Sequence, residues 1–398
     1  MAEFYAYQGL CLCPQGGRLP QGATLVAAPF HPLLYLVERD PLIHGALRPL
    51  PGPDALDGPE DWRCLLSDTG GRTEEGCYAL NTAFPRALEL APDLLAPKQK
   101  DLRLTLVGLG DVGGQLLTAL KLLGDEIEEI GIYDPNDALV DRYVLELNQI
   151  LDRETPRIVR RSPADLFDCD LFLFTASRGV PPVGVVGDVR MLQFEKNREM
   201  LRAYSKQARE SGFRGLFCQI SDPVDLLARA VFLQSNRNEA GELDFCGLLP
   251  KQIVGFGLGV MKARADFMAR RMGKSCPNLR AYGPHGAGLV IANDPDAYDE
   301  ALSLALTRQT MAANVEVRAL GFKPYIAPAI SSACLSILRL IRGVVFHGAI
   351  PLDGVYFGCR SRRIGGFAPC TEALHPALVA RIEAAWEALR EEEPKCQA

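Results

Sequence analysis

The segment Val107-Gly108-Leu109-Gly110-Asp111-Val112-Gly113 constrains this 398-residue chain more than any other, because its three glycines fall between an apolar run and an amphipathic one. Residues 102–107 read as a strand, and Val112, Leu116, Leu117, Leu120 and Leu123 then recur at helical spacing, forming a stripe that would face a sheet. Strand, glycine turn and helix in that order open a βαβ unit. Gly108 permits the turn, Gly110 lets the backbone approach a pyrophosphate, and Gly113 lets the helix pack close to the strand. Asp111 and Val112 begin the helix, whose N-terminal amides are free to meet negative charge. About 20 residues past the glycines, Asp134 ends the next strand-like run, where a carboxylate would accept hydrogen bonds from a ribose hydroxyl and repel the extra phosphate of NADP. The cofactor implied is NAD. A glycine turn of purely structural purpose would explain the loop, but not the strand, the helix and the acid together.

Six strand-like runs, at 102–107, 129–133, 157–161, 171–175, 215–220 and 252–254, alternate with helical patterns or loops. They predict an α/β fold with a doubly wound parallel sheet, a Rossmann domain over 100–257. Beyond Phe256 come a helix-like 260–272, a loop with His285, another helix near 329–341 and strand-like 348–359, which together predict an α+β catalytic domain over 258–398. Residues 1–99 differ in texture. They hold twelve of the 28 prolines, a density that breaks long helices and favours short strands such as 23–28 and 33–37. This stretch reads as a separate N-terminal extension with no recognisable chemistry of its own.

A net charge of -6 and a pI near 5.6 leave no basic stripe, so no nucleic-acid partner is expected. No apolar run is long enough to span a bilayer, and MAEFYAYQGLCLC lacks the basic and apolar regions of a secretory signal; the expected location is the cytoplasm. Twelve cysteines scattered through a long chain suggest reduced thiols. Cys11 and Cys13 are the only close pair, Cys64, Cys77 and His31 have no ligand spacing, and no metal is expected.

From Leu102 to about Phe367 the order of segments resembles the L-lactate and malate dehydrogenase family. The resemblance runs through the glycine loop, Tyr133-Asp134, Phe174-Thr175-Ala176, Ser221-Asp222-Pro223-Val224-Asp225, Gly283-Pro284-His285-Gly286 and Lys323-Pro324-Tyr325. It implies an NAD-dependent oxidoreductase acting on a small 2-hydroxy or 2-oxo carboxylate, assembled as a homodimer or homotetramer. Thr175, Ala176 and Ser177 would lie along the cofactor. His285 falls where the family keeps its general acid/base; without the resemblance a structural loop histidine is the simpler reading. Arg264 falls where an arginine grips the substrate carboxylate in a two-pronged ion pair, or else it packs a helix beside Arg270 and Arg271. The glycine- and proline-rich stretch after Ser177 resembles a closing loop, with Arg178 a possible substrate contact and Arg190 placed to polarise the substrate carbonyl.

Three positions depart from the family pattern. Asp222 stands for an asparagine, Met261 for the aspartate that orients the histidine, and Ile326 for a threonine near the substrate. An imidazole without a carboxylate loses tautomer control and stabilisation of its charged form. One carboxylate lost and another gained suggests that Asp222 takes over the pairing with His285, for a substrate other than lactate or malate. A catalytically silent NAD-binding protein with a regulatory or scaffolding role is the alternative. NAD-dependent glycosidases would need a metal held by a cysteine and a histidine, and no such pair is found.

Overall fold

The computed structural model describes residues 2–50, 55–66, 76–151, 155–178, 189–363 and 365–397, except for the side chains of Val189 and Arg190. The proline-rich first hundred residues make short strands: β1 (Phe4–Tyr7), β2 (Leu10–Pro14), β3 (Thr24–Val26), β4 (Leu33–Val37), β5 (Leu47–Pro49) and β6 (Cys77–Asn81). They form one sheet in the order β3-β1-β2-β4-β6-β5, with β2, β4 and β6 parallel, and helix α1 (Ala87–Leu95) follows. β4 is buried throughout, as a run of Leu, Tyr and Val with no polar alternation requires.

The glycine loop then joins β7 (Leu102–Val107) to α2 (Asp111–Leu123). β8 (Ile127–Tyr133), α3 (Asp137–Leu147), β9 (Arg157–Arg160), β10 (Leu171–Phe174), α4 (Val189–Glu210), β11 (Leu216–Gln219), α5 (Val224–Ser235) and β12 (Ile253–Gly255) complete the doubly wound unit. The six strands run parallel in the order β12-β11-β10-β7-β8-β9. The order reverses between β7 and β10, and the carboxyl ends of these two strands are where such sheets hold ligands.

Downstream lie α6 (Leu258–Arg271), the hairpin β13 (Arg280–Tyr282) and β14 (Val290–Ala292), α7 (Glu300–Ala319), a π-helical stretch Pro328–Cys334 and α8 (Leu335–Ile341). The single strand-like run near 348–359 is two antiparallel strands, β15 (Phe346–Leu352) and β16 (Val355–Arg363), with β17 (Phe367–Pro369) beyond them. Gly354, at φ +82°, makes the turn between them, which an apolar-pattern reading does not separate. All three join the parallel sheet at β12 and extend it to nine strands. Helix α9 (Pro376–Glu392) and a final turn, α10 (Pro394–Gln397), end the chain.

The N-terminal region has a sheet of its own, yet its apolar side chains join the same core. Leu34, Leu47, Trp62 and Phe84 belong to one buried cluster with Phe232 of α5 and Val355 and Phe367 of the hairpin. Phe84 meets the Phe232 ring edge-on at 6.3 Å. Among the described residues no helix is long and apolar enough to cross a membrane.

Candidate active site

The glycine loop shows why each glycine is needed. A Cβ on Gly113 would stand 1.9 Å from the Gly108 carbonyl, and one on Gly108 would press against the Ala176 backbone at 2.6 Å. Around Gly110 a Cβ would meet nothing within 4 Å. That open space faces the start of α2, where Gly110 is the N-cap and no side chain caps the free amides. Thr175 Oγ1 donates to the carbonyls of Val107 and Gly108 at 2.9 and 2.6 Å, so its hydroxyl fixes the loop. Asp134 does similar work from the other side, accepting from Leu109 N at 2.8 Å and Asn136 N at 2.9 Å. Asp111 forms an exposed ion pair with Lys323 at 3.0 Å, across the mouth of the cleft.

Beside the loop lies a cavity of about 160 Å³ whose lining includes Val112, Thr175, Ser177, Asp222, His285 and Ser332. His285 enters from the turn between β13 and β14. Its Cβ would lie 2.8 Å from one on Gly257, so the absence of a side chain there lets the imidazole sit against the backbone. His285 Nδ1 is 2.9 Å from Asp222 Oδ1. An ionised carboxylate only accepts, so Nδ1 carries the proton and Nε2 is left for other chemistry. Nε2 is buried and has no hydrogen-bond partner among the described residues. Burial alone would lower the histidine's pKa; the charge and hydrogen bond of Asp222 outweigh it, and the pKa is raised above the ordinary 6.5.

Asn197 of α4, which the motifs do not single out, holds this arrangement together. It is fully buried, donating to the Asp222 carbonyl at 2.8 Å and accepting from Arg178 N at 3.0 Å. It thereby ties the end of β10 to the loop after β11. Asp225, on the first turn of α5, accepts from His285 N at 3.3 Å. Asp225 lies in the Ser221–Asp225 motif, which gives it no role, and Asn197 is revealed only by its three-dimensional neighbours.

The remaining sequence candidates lie in different surroundings. Arg264 is buried, donating to Asn314 Oδ1 at 2.5 Å and approaching Met261 Sδ at 3.8 Å. Burial lowers its pKa and the charge of Asp222 opposes that, and Arg264 is not among the residues that line the cavity. Arg178 turns outward to Glu199 at 3.0 Å, and Ile326 is 60% exposed. Ala176 packs under Gly108, and Ser177 Oγ is 3.5 Å from Asn197 Oδ1. The closing-loop stretch 179–188 and the Arg190 side chain lie outside the described residues. No group of three or more metal-ligating side chains occurs among the described residues, where all twelve cysteines are free thiols.

Known proteins share this fold. A minor L-lactate dehydrogenase from Enterococcus mundtii superposes with a TM-score of 0.61 over 74% of this chain and 98% of its own, at 18% identity. A malate dehydrogenase from Archaeoglobus fulgidus in complex with NADH superposes with a TM-score of 0.61 over 74% and 100%, at 17% identity. These likenesses establish the fold. In sequence, L-lactate dehydrogenase from Mesomycoplasma hyopneumoniae is 28% identical over 199 residues, 48% of this chain and 58% of the relative. The chain is similar in sequence to L-lactate dehydrogenases over about half its length and shares its fold with lactate and malate dehydrogenases. L-lactate dehydrogenase 1 from Enterococcus faecalis is 27% identical over 220 residues, 50% of this chain and 62% of its own. The match thus spans less than two-thirds of these curated lactate dehydrogenases, and no family model matches the chain.

Proposed function

We propose that this protein is an NAD-dependent dehydrogenase of a small 2-hydroxy or 2-oxo acid whose side chain differs from those of lactate and malate. The observation that carries the proposal is the 2.9 Å contact between His285 Nδ1 and Asp222 Oδ1, with Nε2 unpartnered in the cavity beside the glycine loop. The groove fits a dinucleotide: Gly110 leaves space where a pyrophosphate would approach uncapped amides, and Asp134 offers a ribose its carboxylate. When bound, the nicotinamide ring supplies or accepts the hydride. The chain's own residues manage the proton. Neutral His285 accepts the substrate hydroxyl proton at Nε2 during oxidation, and protonated His285 returns one to the carbonyl oxygen during reduction, while Asp222 stabilises the charged ring. Asn197 holds the Asp222 backbone, and so the carboxylate, in register with the imidazole. By the family resemblance, Arg264 would grip the substrate carboxylate and Arg190 would polarise the substrate carbonyl. The assembly we propose is a homodimer or homotetramer in the cytoplasm.

The raised pKa gives the pH test its sign. Reduction needs the protonated ring, so activity should persist to a higher pH than an ordinary histidine allows and fall as pH rises through the raised value. In Asp222→Asn the charge that raises the pKa is gone, and the fall in reduction should move to lower pH. An unshifted profile in that variant would contradict the dyad.

One observation favours a second reading, a silent NAD-binding protein. Arg264 is already engaged by Asn314 and Met261 and does not line the cavity. NADH binding without turnover of any 2-oxo acid would support it.

A further inference from the structure

A second enclosed space lies where the N-terminal sheet meets the β15–β16 hairpin and α5. It has a volume of about 70 Å³, several times the roughly 15 Å³ that one water needs. That is room for a small organic molecule and far too little for a nucleotide. Leu47 of the N-terminal sheet and Leu352, Val355 and Phe367 of the extended sheet supply an apolar lining.

Charge in this space is unevenly matched. Glu60 is the hub: its carboxylate lies 3.2 Å from Arg39, 3.3 Å from Arg48 and 3.7 Å from His44, and accepts from Gly45 N at 3.1 Å. Arg48 spends its other donors on the carbonyls of Gly58 and Leu56. Arg229 of α5 is neutralised by Glu393 at 2.7 Å. Lys251 is different. It enters from the short helix before β12, its stem passing over Gly366 and its Cε reaching the neighbourhood of Gly45. It is only 8% exposed, lines the cavity, and makes no hydrogen bond or ion pair among the described residues. Burial pushes its pKa down to about 8, and the charge of Glu60 offsets this only in part.

We propose that this cavity is a second ligand site that takes a small monocarboxylate with a short apolar body, its carboxylate on the Lys251 ammonium and its chain against the apolar lining. Asp353 also lines the space without an ion pair among the described residues, and burial raises its pKa, which favours its neutral form. Lys251 is the cation left unmatched, and one cation suits a monoanion, whereas a phosphate would leave a second charge buried and unpaired. The site stands apart from the dehydrogenase cleft, because its lining shares no residue with that cavity.

The test is isothermal titration of butyrate into the full chain, in wild type, Lys251→Met and Arg264→Gln. Butyrate should bind to Arg264→Gln as to wild type, and at least tenfold more weakly to Lys251→Met, because a charge-assisted contact is worth that much. Uncharged butyramide should bind Arg264→Gln at least tenfold more weakly than butyrate, an arm that holds even if Lys251→Met does not fold. Three outcomes would overturn the site: butyrate affinity unchanged in Lys251→Met, affinity lost in Arg264→Gln alone, or butyramide matching butyrate. Failure of dehydrogenase activity would leave these readouts untouched.

Discussion

Asp222 and Glu60 are both carboxylates set among cationic side chains, and the chain uses them differently. Asp222 engages one imidazole nitrogen and leaves the other open to a cavity. Glu60 gathers two arginines, a histidine and a backbone amide, and leaves none of its own charge over. A paired group with one free valence is suited to moving a proton, whereas a saturated hub is suited to fixing one layer on another. Lys251, close to the hub but outside its reach, is the exception that gives the second region a binding character.

The comparison breaks most readily at Asp222. Replacing it by Asn is predicted to lower kcat for 2-oxo acid reduction on the order of a thousandfold, since an amide neither charges the imidazole nor stabilises its protonated form. Steady-state NADH oxidation measures this, and a variant of near-normal kcat would remove the distinction between the two carboxylates. Glu60→Gln should act on folding instead. It leaves Arg48 and His44 without their counter-charge and Arg39 with only the exposed Asp57, and is predicted to cost about 3 kcal/mol in urea unfolding, with activity per folded molecule preserved. Burial would raise the Glu60 pKa, but His44, Arg48 and the Gly45 amide outweigh this and hold it below the usual carboxylate range. The stabilisation it gives is therefore present above the unfolded pKa and lost as pH falls through the folded one. A wild-type and a Glu60→Gln protein losing stability in parallel on acidification would contradict that sign.

A smaller effect sharpens the contrast between loop and scaffold. Gly110→Val adds atoms to open space, so the fold should survive while NADH affinity, read by fluorescence titration, falls on the order of a hundredfold. Unchanged affinity would mean that no backbone approach occurs there. Lys251→Met should give the smallest change and the opposite sign to Glu60→Gln. Removing a buried, unpaired cation while keeping its stem is predicted to raise stability by about 1 kcal/mol, a rise of a few degrees in Tm at most. A fall in Tm would show that the ammonium has a partner in solution.

The parallel sheet was legible because its strands are buried on both faces and read as apolar runs between helices, so their boundaries fall within a few residues of those observed. The Asp222–His285 contact was legible for another reason. A carboxylate absent at Met261 of α6 and one present at Asp222, against the pattern of the resembled family, mark a pairing supplied from the loop after β11 instead. Positions such as Asn197, Glu60 and Lys251 carry no such mark. Glu60 and Lys251 are 191 residues apart, and neither belongs to a motif; only the packing of the N-terminal sheet on the hairpin brings them to one cavity. The N-terminal sheet itself was half visible. Proline density and short apolar runs announce strands, but parallel pairing of β2, β4 and β6 is a long-range choice that local pattern does not encode.

The most direct test of the account is NADH oxidation by the purified protein against 2-oxo acids with small, branched, aromatic and acidic side chains, in wild type and in His285→Ala. The account predicts turnover of at least one acid by the wild type, with a side chain other than that of pyruvate or oxaloacetate preferred, and its loss in His285→Ala. A wild-type protein that binds NADH and turns over none of them, or a His285→Ala variant as active as wild type, would contradict it.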